Sequence, residues 1–251
     1  MNPHLQTKFH IGCCGWSYLT ISEFKDKVQK PWKSKLQLYA QLMNAVEINS
    51  TFYKLPKLST AEKWRSEVDE VNPRFEFTVK AYKGITHIKK FRGNEIYQYF
   101  QMMKELCVVL NARVILFQSP PSFKPTDNNI VALESFFKSI DRGNLILVWE
   151  PRGEWYEHKD LIEDICASCE LVHCVDPLRA EPRLVNSAQC NYYRFHGFGI
   201  PSMYHYNFSE VELKEIIHKI RDYGLAKDAY LFFNNDACYS NALEMTSMLE
   251  R

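Results

Sequence analysis

The stretch Leu145-Ile146-Leu147-Val148-Trp149-Glu150-Pro151-Arg152 decides the fold. Its aliphatic residues and tryptophan run without a polar break, the pattern of a strand covered on both faces. Proline cannot donate to a ladder, so the strand stops at Glu150 or one residue later. A buried strand thus delivers a carboxylate and a guanidinium at its C-terminal end. The same unit recurs in both directions along the chain.

Upstream, strands are expected at Phe9–Cys13, Ala45–Ile48, Phe75–Lys80 and Val114–Gln118, and downstream at Leu171–Val175, Asn191–Phe195 and Ala229–Phe233. In Phe75–Lys80, Phe75, Phe77 and Val79 alternate with Glu76, Thr78 and Lys80 in a two-residue period. Helical patterns lie between the strands. One carries Leu36, Tyr39, Ala40 and Met43. The next holds Trp64 and Val68 behind a capping box of Ser59 with Glu62, and another starts at Gly93-Asn94. Asp127 or Asn128 is expected to cap a helix bearing Leu133 and Phe137, and a further helix covers Lys159–Cys169. A second capping box, Ser209 with Glu212, opens a helix that stops near Gly224, and the last helix covers Asn241–Leu249. The connection Leu178–Gln189, with Pro182, is poorly periodic and should hold no full helix.

Eight strands alternating with helices call for parallel pairing through right-handed crossovers. In 251 residues the expected fold is an α/β one: a single (β/α)8 TIM barrel over residues 1–251, irregular after its sixth strand. An open doubly wound sheet is the alternative.

Composition narrows the function classes. A net charge of +1 gives no overall basicity for nucleic-acid binding, and no apolar run is long enough to span a bilayer. Met1–Lys8 is polar and has no signal-peptide core, so a cytoplasmic protein is expected. The eight cysteines are then expected to be mostly buried, reduced thiols. Cys166 and Cys169, with His173 near, have metal-ligand spacing, but a single C-x-x-C is weak beside the buried-thiol reading. Neither G-x-G-x-x-G nor G-x-x-x-x-G-K-[ST] occurs, so dinucleotide and P-loop readings lack support and no cofactor is expected.

In a barrel the C-terminal strand ends converge on one mouth, where active sites are built. Those ends carry Glu47, Asn49, Lys80, Gln118, Glu150, Arg152, Asp176, Arg194, His196, Asn234 and Asn235. Glu150 and His196 are the expected catalytic, proton-transferring pair. Lys80, Arg152 and Arg194 suit a phosphate or carboxylate. Glu47, Asn49, Tyr53, His87, Gln118, Asp176, Asn234 and Asn235 complete the expected substrate-binding set. A metal held by Glu47, Glu150, Asp176 and His196 is disfavoured by the three cations, so no metal ligand is assigned. Trp16, Tyr18, Phe52, Tyr53, Trp155 and Phe198 follow strand ends and suit either stacking or a hydrophobic lid.

Taken in order, these segments resemble the YecE-like family, domain of unknown function 72 (DUF72). The similarity is carried by Ile11-Gly12-Cys13-Cys14-Gly15-Trp16-Ser17-Tyr18, Val46-Glu47-Ile48-Asn49-Ser50-Thr51-Phe52-Tyr53, Phe77-Thr78-Val79-Lys80 with Thr86-His87, and Leu116-Phe117-Gln118-Ser119-Pro120-Pro121-Ser122-Phe123. It continues through Glu150-Pro151-Arg152 with Trp155, Arg194-Phe195-His196-Gly197 and Phe232-Phe233-Asn234-Asn235, and so covers nearly the whole chain. Ser119 stands where leucine is usual. The resemblance implies a TIM barrel related in shape to endonuclease IV and sugar isomerases, and it supplies no reaction. The leading expectation is a hydrolase or isomerase acting on a small anionic molecule, a phosphorylated sugar or nucleotide, in the mouth. Glu150→Gln and His196→Ala should then lose turnover and keep stability. Nucleic-acid binding and a metal-dependent DNA-repair hydrolase are the alternatives, and no membrane partner is expected.

Overall fold

The computed structural model describes residues 7–28, 31–184 and 189–250. Eight parallel strands close into a barrel in sequence order. They are β1 (Lys8–Cys13), β2 (Ala45–Ile48), β3 (Glu76–Lys80), β4 (Val114–Gln118), β5 (Ile146–Glu150), β6 (Val172–Val175), β7 (Asn191–Phe195) and β8 (Asp228–Phe233). The helices are α1 (Ile21–Phe24), α2 (Lys35–Leu42), α3 (Ser50–Tyr53), α4 (Leu58–Asp69), α5 (Glu95–Leu110), α6 (Asp127–Ser139), α7 (Lys159–Ser168), α8 (Glu210–Asp222) and α9 (Cys238–Leu249). The closed sheet rules out the open doubly wound alternative. Past β6, residues 176–184 form turns and no helix, as expected of Leu178–Gln189, while 185–188 lie outside the described residues.

Both faces of each strand are buried, for different reasons. Phe77 and Val79 of β3 pack outward in the core between sheet and helices. Thr78 and Lys80 point to the lumen, where Thr78 meets Tyr192 of β7. The two-residue period in β3 therefore separates an apolar outer layer from a polar lumen, not core from solvent. Lower in the lumen, Ala45, Val114, Leu116, Val148, Val172 and Phe232 form a second apolar cluster, the filled interior usual for this fold. At the N-terminal end His10 Nε2 meets Asp228 Oδ1 at 2.7 Å and its ring stacks on Tyr230.

Local capping partly departs from the sequence reading. Ser209 and Glu212 do form a capping box. Ser59 and Glu62 do not: α4 starts a residue earlier, at Leu58, after Lys57. Asp127 and Asn128 are already helical, with Thr126 as the flanking residue. The segment around Thr86 and His87 is a π-turn, Gly84–Ile88. The last helix begins at Cys238, three residues before Asn241.

The seam between β1 and β2 is short, with two Cα pairs, Gly12 with Ala45 and Cys13 with Val46. Tyr39 of α2 reinforces it: its hydroxyl donates to Ala45 O and accepts from Cys13 N, each at 2.8 Å. A Cβ on Gly12 would stand 1.9 Å from Ala45 O and 2.6 Å from that hydroxyl. Neither neighbour is the loose end of a flexible side chain. Gly12→Ala is therefore expected to cost at least about 1–3 kcal/mol, the usual range for overpacking. Denaturant melts of the variant read this directly, and an unchanged midpoint would show that the seam can open freely.

Candidate active site

The site is built by side chains at the C-terminal ends of the strands. Arg194 of β7 stands at its centre, fully buried. Its Nη2 donates to Glu47 Oε1 at 2.9 Å and its Nη1 to Glu150 Oε2 at 2.7 Å. Glu47 also accepts from Tyr192 OH at 2.8 Å. Glu150 also accepts from Gln118 Nε2 at 2.8 Å and from Arg152 Nη2. Parity explains the convergence: β-strand side chains alternate, so Tyr192 and Arg194 share the lumen face, as do Thr78 and Lys80.

Charge pairing sets the protonation states. Burial alone would raise the pKa of Glu150, but the charges of Arg194 and Arg152, with Lys80 beyond them, outweigh it and hold the carboxyl well below its usual range. His196 Nε2 lies 2.9 Å from Arg152 Nη2 and 3.4 Å from Arg194 Nη1. Guanidinium only donates, so Nε2 must accept. The proton of neutral His196 then sits on Nδ1, which faces Asp176 Oδ2 at 3.7 Å. Burial depresses the His196 pKa, with Arg194 adding to the depression and Asp176 opposing it. Asp176 itself holds the backbone, accepting from Leu178 N at 3.1 Å and His196 N at 3.2 Å.

Lys80 differs from both arginines. Its residue is 8% exposed, yet among the described residues no carboxylate oxygen lies within 4.0 Å of its Nζ. The ammonium sits 4.7 Å from the Phe52 ring centroid. Burial and the Arg194 charge lower its pKa from 10.5 to about 8, against the pull of Glu47, Glu150 and Cys14. Three cations, Lys80, Arg152 and Arg194, thus share two carboxylates, Glu47 and Glu150, and Lys80 is the surplus one. Among the described residues both guanidiniums also keep a buried Nε without an acceptor.

Above this floor opens a cleft of about 830 Å³ lined by Lys80, Asn49, Tyr53, Asn234 and Asn235, among others. Asn49 Nδ2 donates to Cys14 O at 3.1 Å. Asn235 donates from Nδ2 to Tyr206 O and Asn241 Oδ1, while its buried Oδ1 has no donor. Tyr53 is 67% exposed on the rim. Glu47, Gln118, Glu150, Arg152, Asp176, Arg194 and His196 stay in the floor and do not line the cleft, and neither does His87. It stands edge-on to Phe52 at 4.7 Å, accepts or donates at Thr86 Oγ1, and is pushed down to about 4 by burial and Lys80.

The aromatics expected around the mouth divide. Tyr18, Tyr53 and Phe198 are exposed, whereas Trp155 is fully buried on Trp149 and Trp16 packs edge-on against Trp64. Ser119, in place of leucine, accepts from Trp149 Nε1 at 2.8 Å and so satisfies a buried indole. Tyr192, Thr78 and Cys14 belong to the site and were not expected there. Strand parity counted back from Arg194 and Lys80 would have found the first two. Cys14 also lines the cleft, with Arg194 Nη2 3.5 Å from its sulfur, and burial pushes its thiol well up.

Among the described residues no cysteine forms a disulfide, and Cys166 and Cys169 are buried. Among the described residues no three His, Cys, Asp or Glu side chains converge in a geometry that could hold a metal ion. Nor is any described helix long and apolar enough to cross a membrane.

Comparison with known proteins places this architecture. The UPF0759 protein YunF of Bacillus subtilis is 26% identical over 276 residues, covering 96% of this chain and 93% of that protein. A DUF72 family protein from Thermotoga maritima superposes with a TM-score of 0.75 at 24% identity, over 97% of this chain and 99% of the other. One from Enterococcus faecalis gives 0.72 at 22%, over 99% and 100%. SacUVDE and a D-tagatose 3-epimerase-like protein share the fold alone, at 8% and 12% identity with TM-scores of 0.58 and 0.54. The family model described as "Protein of unknown function DUF72" matches residues 10–251, and the chain belongs to that family.

Proposed function

We propose that the barrel mouth is the active site of an enzyme acting on a small anionic substrate. The observation that carries this reading is Lys80, a buried surplus cation at the edge of an open cleft. A desolvated ammonium with no carboxylate in direct contact among the described residues favours an incoming phosphate or carboxylate. Arg194 and Arg152 are already neutralised by Glu47 and Glu150, so they order the floor. The same pairing makes Glu150 a poor proton acceptor and ties up the His196 lone pair. On this reading proton exchange falls to Lys80, whose pKa of about 8 suits work near neutral pH. Asn235 Oδ1 offers a free acceptor to a substrate hydroxyl.

Titration with inorganic phosphate by calorimetry tests the reading. Lys80→Met should weaken binding at least about tenfold, the scale of a charge-assisted hydrogen bond, while Lys80→Arg should keep most of it. Wild-type affinity should fall as pH rises through about 8, because the ammonium loses its proton. Equal binding by wild type and Lys80→Met would remove the proposal. A second reading, single-stranded nucleic acid, draws on the exposed Tyr18, Tyr53 and Phe198 and on the fold likeness to SacUVDE. Binding of an oligothymidine whose affinity falls steeply with salt would favour it in the same titration.

A further inference from the structure

We infer that Lys80 is a nucleophile, and that the substrate class is a small anionic aldehyde or ketone carried as an imine on Lys80 Nζ. The inference rests on the active-site reading above and names its chemistry.

Its charge lets Lys80 hold an anion, as an arginine would, but its placement adds a second property. It is nearly fully buried, lies against the Phe52 ring, and has Arg194 as a like-charged neighbour. Burial and an adjacent cation are the two conditions that free an amine lone pair. The charged and titratable groups facing Lys80 come from several elements: Glu47 of β2, Glu150 of β5, Arg194 of β7, Cys14 after β1, and His87 of the π-turn. None of these pairs with the ammonium directly among the described residues. The backbone is braced as well: Thr51 Oγ1 lies 2.7 Å from Lys80 O and 2.6 Å from Ile48 O.

The step balances without a further reactant. Lys80 ammonium gives a proton to solvent in the open cleft. The neutral amine then attacks the carbonyl carbon, the C–N bond forms, and the carbonyl oxygen takes up a proton. The carbinolamine nitrogen loses its second proton, the C–O bond breaks, and the hydroxyl leaves as water with a proton from solvent. The net change is ammonium plus carbonyl to protonated imine plus water. The positive charge returns to the same nitrogen, beside the substrate's anionic group. The protonated imine withdraws electrons from the adjacent carbon, which supports isomerisation or carbon–carbon cleavage.

Reductive trapping on the intact protein tests this. Wild type is incubated with formaldehyde or pyruvate and sodium cyanoborohydride across pH 6–10, roughly two units either side of the Lys80 titration, and the adduct is mapped by peptide mass. Lys80 should be modified before the exposed lysines with both probes, at a rate that rises with a midpoint near pH 8. Inorganic phosphate should protect it. Labelling of Lys80 no faster than that of surface lysines overturns the inference. Should phosphate still bind in a Lys80-dependent way, the anion site stands and only the covalent step falls. If binding and trapping are both absent, the active-site reading falls with it.

Discussion

Arg194→Met is expected to lower the stability of the protein by about 3–5 kcal/mol, the range for removing one partner of a buried ion pair. For a chain of this length that is a fall of ~6–20 °C in Tm. The guanidinium satisfies two carboxylates at once, Glu47 and Glu150, which are 0% and 2% exposed. Methionine fills similar space and leaves both acids in a site with little water. Tyr192, Gln118 and Arg152 remain as partners, so the loss is large and not total.

The pH dependence separates this cause from simple misfit. The folded-state pKa of Glu150 is depressed below its ordinary 4.5, so its contribution is fully present above that pH and is lost as pH falls through the lowered value. Without Arg194 the burial penalty on Glu150 is less opposed, so this carboxyl takes up its proton at higher pH. The deficit of the variant should therefore be largest near pH 7 and shrink towards pH 5. Chemical denaturation at both pH values measures it. A deficit that does not change with pH would mean that shape, not charge, is what Arg194 supplies. Glu150→Gln removes the counter-charge of two guanidiniums by the same logic, so it costs stability instead of leaving it intact as the sequence alone suggests.

Lys80→Met is expected to do the opposite on the two scales. Turnover of any carbonyl substrate identified by trapping should fall at least about hundredfold, the lower end of what a proton-transferring group contributes. Stability at pH 7 should rise. The Lys80 pKa is lowered by folding from 10.5 to about 8, so the charged form is penalised in the folded state. That cost is present in full below pH 8 and disappears as pH climbs to about 10.5. Thermal melts should show the variant ahead at pH 7 with the gap closing above pH 8. Lys80→Arg restores charge without a titratable amine, and it should recover phosphate binding but not turnover. A variant that loses stability along with activity would make Lys80 a structural residue.

Residue order carried most of the fold. Apolar runs such as Leu145–Trp149, ending in polar residues and alternating with helical patterns, call for parallel strands covered on both faces, and eight strands at this length fit the closed barrel observed. Capping was less legible. Ser59 with Glu62 has the spacing of a capping box, yet the chain enters α4 earlier, at Leu58. Single-turn elements such as α3 and the π-turn at Gly84–Ile88 have no period long enough to read.

Convergence of Glu47, Lys80, Gln118, Glu150, Arg152, Arg194 and His196 followed from strand ends once the barrel was inferred, because position along a strand determines height in the lumen. Their roles did not follow. Whether a guanidinium is free to meet a substrate or is spent on a neighbouring carboxylate depends on the stagger between strands far apart in sequence, such as β2 and β7. Distances of 2.7–2.9 Å around Arg194 decide it, and among the described residues they leave Lys80 with no carboxylate in direct contact. Electrostatic pairing acts over a few ångströms in space, and no local sequence pattern records it.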